Sequence, residues 1–356
     1  MEIETIEDIL QQKNEVSVQD YYSAGQAIYN RFNEHAYKKG HGYSVTGFPI
    51  FNRRLEGMEE GLYVFAGESN SGKTAIITNL IWQITQDPSN KLFGIYYSLD
   101  DSTDEVIARL IAMNQRIPIS VASKPKRYED FIEQYKDDPT PAIQEERERY
   151  IDYLDKRERG LQELINANTQ FLVQDVESVP NLETLLDHMK KVQLYVKSFD
   201  PDNNIIVAID SIADLTVDSR KFNTDRERID YISKTIKTFA NNELKIPIFG
   251  TYHLRKLNHS GRPTLDDVKE SGRLVYEASM VFLVFNDVSK NKEAASVFSS
   301  MEDNEYKQPI IELDWAKNKK SSYKGRTYHY FIPDCSKVIE CEENVHRRYD
   351  ALIYSK

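Results

Sequence analysis

The chain has 356 residues, 40% of them apolar and 29% charged, with a formal net charge of −11 at pH 7. That length supports a full core in one large or two smaller domains, and the acidic balance excludes a surface that coats nucleic acid as a whole, though not a groove or ring that is basic on one inner face. Two cysteines, Cys335 and Cys341, exclude a disulfide scaffold or multi-cysteine zinc site; apolar runs fall short of a membrane span and no signal peptide is read, so the expected setting is reducing and cytoplasmic.

Residues 1–42 carry apolar side chains at helical spacing, first Ile3, Ile6, Ile9 and Leu10, then Tyr21, Ala24, Ile28, Phe32 and Ala36. Too short for a core of their own, they read as a helical N-terminal arm packing on the main domain or on a neighbouring subunit. Tyr43 to Met58 leads into a first strand, Leu62-Tyr63-Val64-Phe65-Ala66.

The strand runs into Gly67-Glu68-Ser69-Asn70-Ser71-Gly72-Lys73-Thr74 and then an apolar-faced helix. Four residues between two glycines, followed by Lys-Thr in a strand–loop–helix setting, is the phosphate-binding loop. Glycines let backbone amides close around phosphate oxygens, and the helix N-terminus adds donors and positive dipole. Gly67, Ser69, Asn70, Ser71, Gly72, Lys73 and Thr74 are therefore expected to bind a nucleoside triphosphate. Lys73 would reach the β- and γ-phosphates and the Thr74 hydroxyl would ligate Mg2+.

Leu92 to Leu99 reads as a second strand ending on Asp100-Asp101, with a helix from Thr103. Residues from about 122 to 168 change texture: Pro125, Pro139 and Pro141 break the chain, and Gln144 to Asn166 is dense in charge, with Glu145–Arg149, Asp152–Lys156 and Asp155–Arg159 spaced i,i+4. This is expected to be a solvent-exposed helical insertion, with a docking surface for a protein partner as its functional alternative. Strand, helix and strand then follow to Asp210, a further helix, and a strand from Ile246 to His253. Met280 to Phe285 is another strand, and a hairpin pairs Ile310–Ala316 with Arg326–Ile332 around a Lys-rich tip. Alternating strands and helices argue an α/β fold, a mainly parallel sheet between helices.

Ligands in such sheets bind at the C-terminal strand ends, where Asp100, Asp210 and His253 fall beside the loop. Asp210 after an apolar strand fits the second nucleotide motif, and its carboxylate would hold Mg2+ through water or the Thr74 hydroxyl; an Asp there also serves simply as a helix cap. Asp100 is positioned to orient the attacking water, with Asp101 as its neighbouring alternative. His253 would sense the γ-phosphate or else hydrogen-bond at the surface. Lys317 and Lys319 belong either to a soluble turn or to a pair of cations inserted into a neighbouring subunit's nucleotide.

Taken together, Thr46-Gly47-Phe48, the phosphate loop, Ser98-Leu99-Asp100-Asp101, Ile209-Asp210, Ile246 to Arg255, Glu270-Ser271-Gly272 and Ala316-Lys317-Asn318-Lys319 resemble, in order and spacing, the ATPase domain of DnaB-like replicative DNA helicases. The resemblance spans residues 43–333 and leaves 334–356 as a C-terminal tail. It implies a RecA-like P-loop core, ATP hydrolysis between subunits of a hexameric ring, and single-stranded DNA through the channel, met by Arg220, Lys221, Arg226, Arg255, Lys256 and Arg262. Four departures qualify it: Asp100 stands for the family's Glu, His253 for its sensor Gln, Lys319 for its finger Arg, and only the short arm stands where replicative members carry a primase-binding domain. These departures imply a specialised relative, from a phage, mobile element or defence system. The alternative they open is a RecA-fold ATPase that switches a protein partner without unwinding DNA.

Overall fold

A computed structural model describes residues 25, 26, 28, 29, 42–167, 170–254, 262–269, 273–286, 297–301, 304–344, 346, 347 and 349. Met1–Gly42 and Tyr43–Lys356 form separate compact units. In the first, the four described residues are helical with exposed side chains, and the rest of the expected arm lies outside the described residues.

In the second unit, five parallel strands make the middle of a nine-stranded sheet. They are β1 (Gly61–Gly67), β2 (Leu92–Ser98), β4 (Asn204–Asp210), β5 (Pro247–His253) and β6 (Met280–Phe285), with β3 (Phe171–Asp175) at one edge. On the other side, β9 (Ile310–Asn318), β10 (Arg326–Ile332) and β11 (Lys337–Glu340) run antiparallel, giving the order β11-β10-β9-β6-β1-β5-β4-β2-β3. A separate two-stranded hairpin joins β7 (Val297–Met301) to β8 (Asn304–Gln308). The expected mainly parallel sheet is thus present, with an antiparallel extension contributed by the C-terminal third.

β1 is central because every residue in it is buried, as a strand covered on both faces requires. Its period-2 alternation divides the core. Tyr63 and Phe65 point into one layer with α2 (Lys73–Gln86), through Ile76, Ile77, Leu80, Ile81 and Ile84. Leu62, Val64 and Ala66 point into the opposite layer, met by α7 (Leu182–Phe199) and α8 (Asp225–Thr238) through Leu185, Met189, Ile229, Ile232 and Ile236. Phe65 and Phe282 stack with ring centroids 4.7 Å apart, locking β1 to β6 on the first face.

The structure adds elements that the sequence pattern did not announce. A short helix, α1 (Pro49–Leu55), begins on a proline and packs Phe51 against Phe282 and Trp315. Beyond β10, the segment read as a tail includes β11, whose Val338 is buried beneath α2. The charged insertion is helical, as α4 (Ile119–Ser123), α5 (Pro125–Gln134) and α6 (Pro141–Ala167). Its long helix is only partly solvent-exposed: Tyr153, Leu154, Leu161 and Leu164 pack against Ala108, Ile111 and Ala112 of α3 (Thr103–Gln115). Gly160 makes that approach possible, since a Cβ there would lie 2.8 Å from Gln115 Cγ and 3.0 Å from Ile111 Cγ2. Of the expected i,i+4 pairs, Asp152–Lys156 forms at 2.6 Å, while Arg149 reaches Glu146 instead, at 3.6 Å. No described helix is long and apolar enough to cross a membrane.

Candidate nucleotide site

The parallel registers Gly67↔His253 and Ser98↔Asp210 gather the C-terminal ends of β1, β5, β2 and β4 along one edge of the sheet, and the register Ile209↔Gly250 sets β1 and β5 two residues beyond β2 and β4. The phosphate loop leaves β1 at Gly67, where a Cβ would come within 2.6 Å of the Val284 carbonyl oxygen. It turns through Asn70 and Gly72, both at positive φ (61° and 97°), and enters α2 at Lys73. Asn70 tolerates that conformation better than most side chains, and Gly72 adopts it without cost.

Lys73 is 3% exposed, and its Nζ donates to the Glu68 carbonyl at 2.6 Å, inside the loop. Burial brings its pKa down to about 8, against the opposing pull of Asp210, Asp100 and Glu68. A buried amine with a lowered pKa gains most from an anion, which restores its charge. Ser71 Oγ, also buried in the loop, meets no hydrogen-bond partner. An orphaned hydroxyl, a buried lysine and a glycine-lined helix N-terminus together fit phosphate oxygens.

Asp210 ends β4, 4% exposed. Tyr96 Oη donates to its Oδ2 at 2.8 Å, and Thr251 Oγ1 donates to its Oδ1. These two hydroxyl partners were not legible in the sequence, because Tyr96 and Thr251 sit within apolar strands and read as core. Ser211 Oγ donates to Asp214 at 2.7 Å, and Arg228 Nη2 donates to the Ala213 carbonyl at 2.8 Å, bracing the turn after β4.

The fold separates the neighbouring acids after β2. Asp101 pairs with Arg109 of α3, and its carbonyl accepts from Ser98 Oγ at 2.6 Å. Asp100 is exposed and acts electrostatically on both Lys73 and His253. His253 is half-buried; burial lowers its pKa, with the Lys73 cation adding to the effect. It is neutral at pH 7, free to donate from one ring nitrogen and accept at the other.

Lys317 and Lys319 lie elsewhere. Lys317 pairs with Val281 and Asn318 with Met280, at the start of β6, whereas the phosphate loop adjoins its end. Lys317 Nζ donates to the carbonyls of Val275, Tyr276 (3.0 Å) and Ala278 (2.8 Å), at the C-terminus of α9 (Leu274–Glu277). Burial, then the Lys319 cation, lowers its pKa to about 7. Lys319 is exposed and donates to the Tyr276 carbonyl at 3.0 Å. Within the chain, then, Lys73, Asp100, Asp210 and His253 converge, and the two lysines stand apart.

The channel candidates are also divided. Lys221 and Arg226 are exposed after β4; Arg220 lies over the rings of Phe222 and Tyr231, 5.4 and 5.7 Å from their centroids. Arg262 packs inward, donating to the buried Glu312 at 2.7 Å with its guanidinium 4.7 Å from the Phe285 ring. Arg255, Lys256 and Glu270-Ser271-Gly272 lie outside the described residues.

Residues 44–330 match the family described as DnaB-like helicase C terminal domain. The replicative DNA helicase DnaB of Mycoplasma pneumoniae (strain ATCC 29342 / M129) is 23% identical over 267 residues, 70% of this chain and 48% of that protein. A probable replicative DNA helicase of Trieres chinensis is 22% identical over 315 residues, 86% of this chain and 60% of that protein. The chain thus spans about half the length of the curated relatives it matches. The solved ATPase domain of G40P superposes with a TM-score of 0.67 at 20% identity, covering 89% of this chain and 98% of that one. A DnaB-like replicative helicase, solved in a study of its interactions with primase, superposes with a TM-score of 0.66 at 20% identity, covering 94% and 74%. The fold is accordingly that of a RecA-like ATPase domain, and with four-fifths of its length matched the chain belongs to the DnaB-like helicase C terminal domain family.

Proposed function

We propose that the protein is an ATP-dependent, ring-forming DNA helicase or translocase that hydrolyses ATP at the interfaces of a homo-oligomer, six subunits to the ring, around single-stranded DNA. The observation that carries this reading is the convergence of Lys73, Asp100, Asp210 and His253 at the C-terminal ends of adjacent strands. In it, the loop amides and Lys73 bind the phosphates, and Thr74 and Asp210 would hold Mg2+, which would supply positive charge against that developing on the transferred group. Asp100, free of the ion pair that engages Asp101, orients the water and accepts its proton. Neutral His253 hydrogen-bonds near the γ-phosphate and, one residue before the loop that follows β5, transmits its presence.

Lys319, exposed and held by a single carbonyl, is the cation that reaches a neighbouring subunit's phosphates, and Lys317, held by three carbonyls, anchors the strand beneath it. A lysine there offers a point charge without the fork of an arginine. Lys221 and Arg226 are the described cations best placed to meet DNA phosphates.

ATP-driven separation of a labelled forked duplex tests the proposal. Strand separation lost in Lys73→Ala is expected. ATP turnover without strand separation or movement on DNA would contradict it and favour an ATPase acting on a protein partner.

A further inference from the structure

Asp210 is gripped from both neighbouring strands. Tyr96 belongs to β2 and Thr251 to β5, and β4 runs between them. One hydroxyl donates to each carboxylate oxygen, Tyr96 to Oδ2 and Thr251 to Oδ1. Tyr96 is fully buried in the layer beneath α2. Thr78 of α2 links the pair to the phosphate loop, donating to the Thr74 carbonyl at 2.7 Å and lying 3.4 Å from the Tyr96 hydroxyl. Polar contacts thus run from Thr74 to Asp210, the two residues read as holding Mg2+.

The chemistry of the partners matters. A carboxylate has about four lone-pair sites, so one donor per oxygen fixes its rotation and leaves a site on each oxygen for a cation or its water. Both donors are neutral, so they orient the carboxylate without cancelling its charge, as Arg or Lys would. Partners of this kind, hydrogen-bonded to a metal-holding side chain, tune its affinity without touching the ion.

We propose that Tyr96 and Thr251 are positioning residues that fix the Asp210 carboxylate for a divalent cation. The proposal rests on the reading of Asp210 as a Mg2+-holding residue. A rival account makes the hydroxyls structural only, each satisfied by a convenient buried acceptor.

Equilibrium binding of a fluorescent, non-hydrolysable ATP analogue, titrated with Mg2+, separates the accounts. Wild type is compared with Tyr96→Phe, Thr251→Val and Thr251→Ser, and thermal melting by circular dichroism checks that each is folded. Tyr96→Phe and Thr251→Val are expected to leave Mg2+-free binding unchanged and to raise the Mg2+ concentration for half-maximal enhancement by roughly 10- to 100-fold, with Thr251→Ser restoring wild-type behaviour. If Tyr96→Phe does not fold, Thr251→Val and Thr251→Ser decide. An unchanged Mg2+ requirement with lowered melting temperatures overturns the proposal and leaves the hydroxyls structural. Wild-type binding indifferent to Mg2+ removes the assignment of Asp210 and the proposal with it. Binding intact in Lys73→Ala contradicts the nucleotide site as a whole.

Discussion

Asp100 and Asp101 are adjacent in the chain, yet their surroundings assign them different work. Asp101 is tied to Arg109, whereas Asp100 stands exposed within the field of Lys73 and His253. The Asp100 side chain is one methylene shorter than the Glu that the family resemblance implies at this place. We expect Asp100→Ala to lower steady-state ATP turnover by about 100-fold or more, the usual contribution of a positioned base, and Asp100→Glu to raise it above wild type. Turnover unchanged in both would remove Asp100 from the chemistry. At this scale the sequence was informative about position wherever spacing and strand ends fix it: Lys73 and Thr74 open α2 and Asp210 ends β4, as the pattern predicts. It was silent on Tyr96 and Thr251, because a hydroxyl in an apolar strand acquires its meaning only from the strand that pairs alongside.

Strong periodicity or paired glycines marked the parallel strands and their helices. Elements stabilised by distant partners carried no such mark. Helix α1 has seven residues, below the length at which an isolated helix is stable; Asn52 Oδ1 accepts from Val45 N at 2.8 Å, and Glu340 Oε1 on β11 accepts from Ile50 N at 2.7 Å, 290 residues away. Glu340's second oxygen is buried without a partner, and burial raises its pKa from 4.5 to about 7. The folded state therefore binds a proton that the unfolded state releases between these values. The stabilisation is complete below about pH 4.5 and is lost as pH rises through about 7, by up to about 1.4 kcal/mol per pH unit. Glu340→Gln should flatten this part of the stability curve and melt above wild type at pH 8, as denaturant titrations across pH will show. The same slope in the variant would assign the dependence to another group. The α3–α6 contact offers a packing counterpart. Gly160→Leu should destabilise by about 1–3 kcal/mol through overpacking against Ile111 and Gln115; stability equal to wild type in urea unfolding would show that the insertion moves aside freely.

On the scale of the whole molecule, sheet order places Lys73 and Lys319 at opposite ends of the β1–β6–β9 strands. One protomer therefore cannot bring them to the same phosphate, and a role for Lys319 in hydrolysis requires a neighbour. Lys73→Ala and Lys319→Ala proteins, each expected to be nearly inactive alone, should regain turnover when mixed, because an interface between unlike subunits can pair an intact Lys73 with an intact Lys319. Mixtures no more active than their components would place Lys319 outside the hydrolytic site. The net charge of −11 fixes a second expectation, that contact with DNA is local and salt-dependent. The central claim joins the two ends of this account, a phosphate site at the C-terminal strand ends and a DNA strand that drives its use. Its most direct test is the steady-state rate of ATP hydrolysis by the purified protein with and without single-stranded DNA. A rate that rises several-fold with DNA, falls back at high salt and vanishes in Lys73→Ala is the predicted result. Hydrolysis that ignores single-stranded DNA at every salt concentration would contradict it.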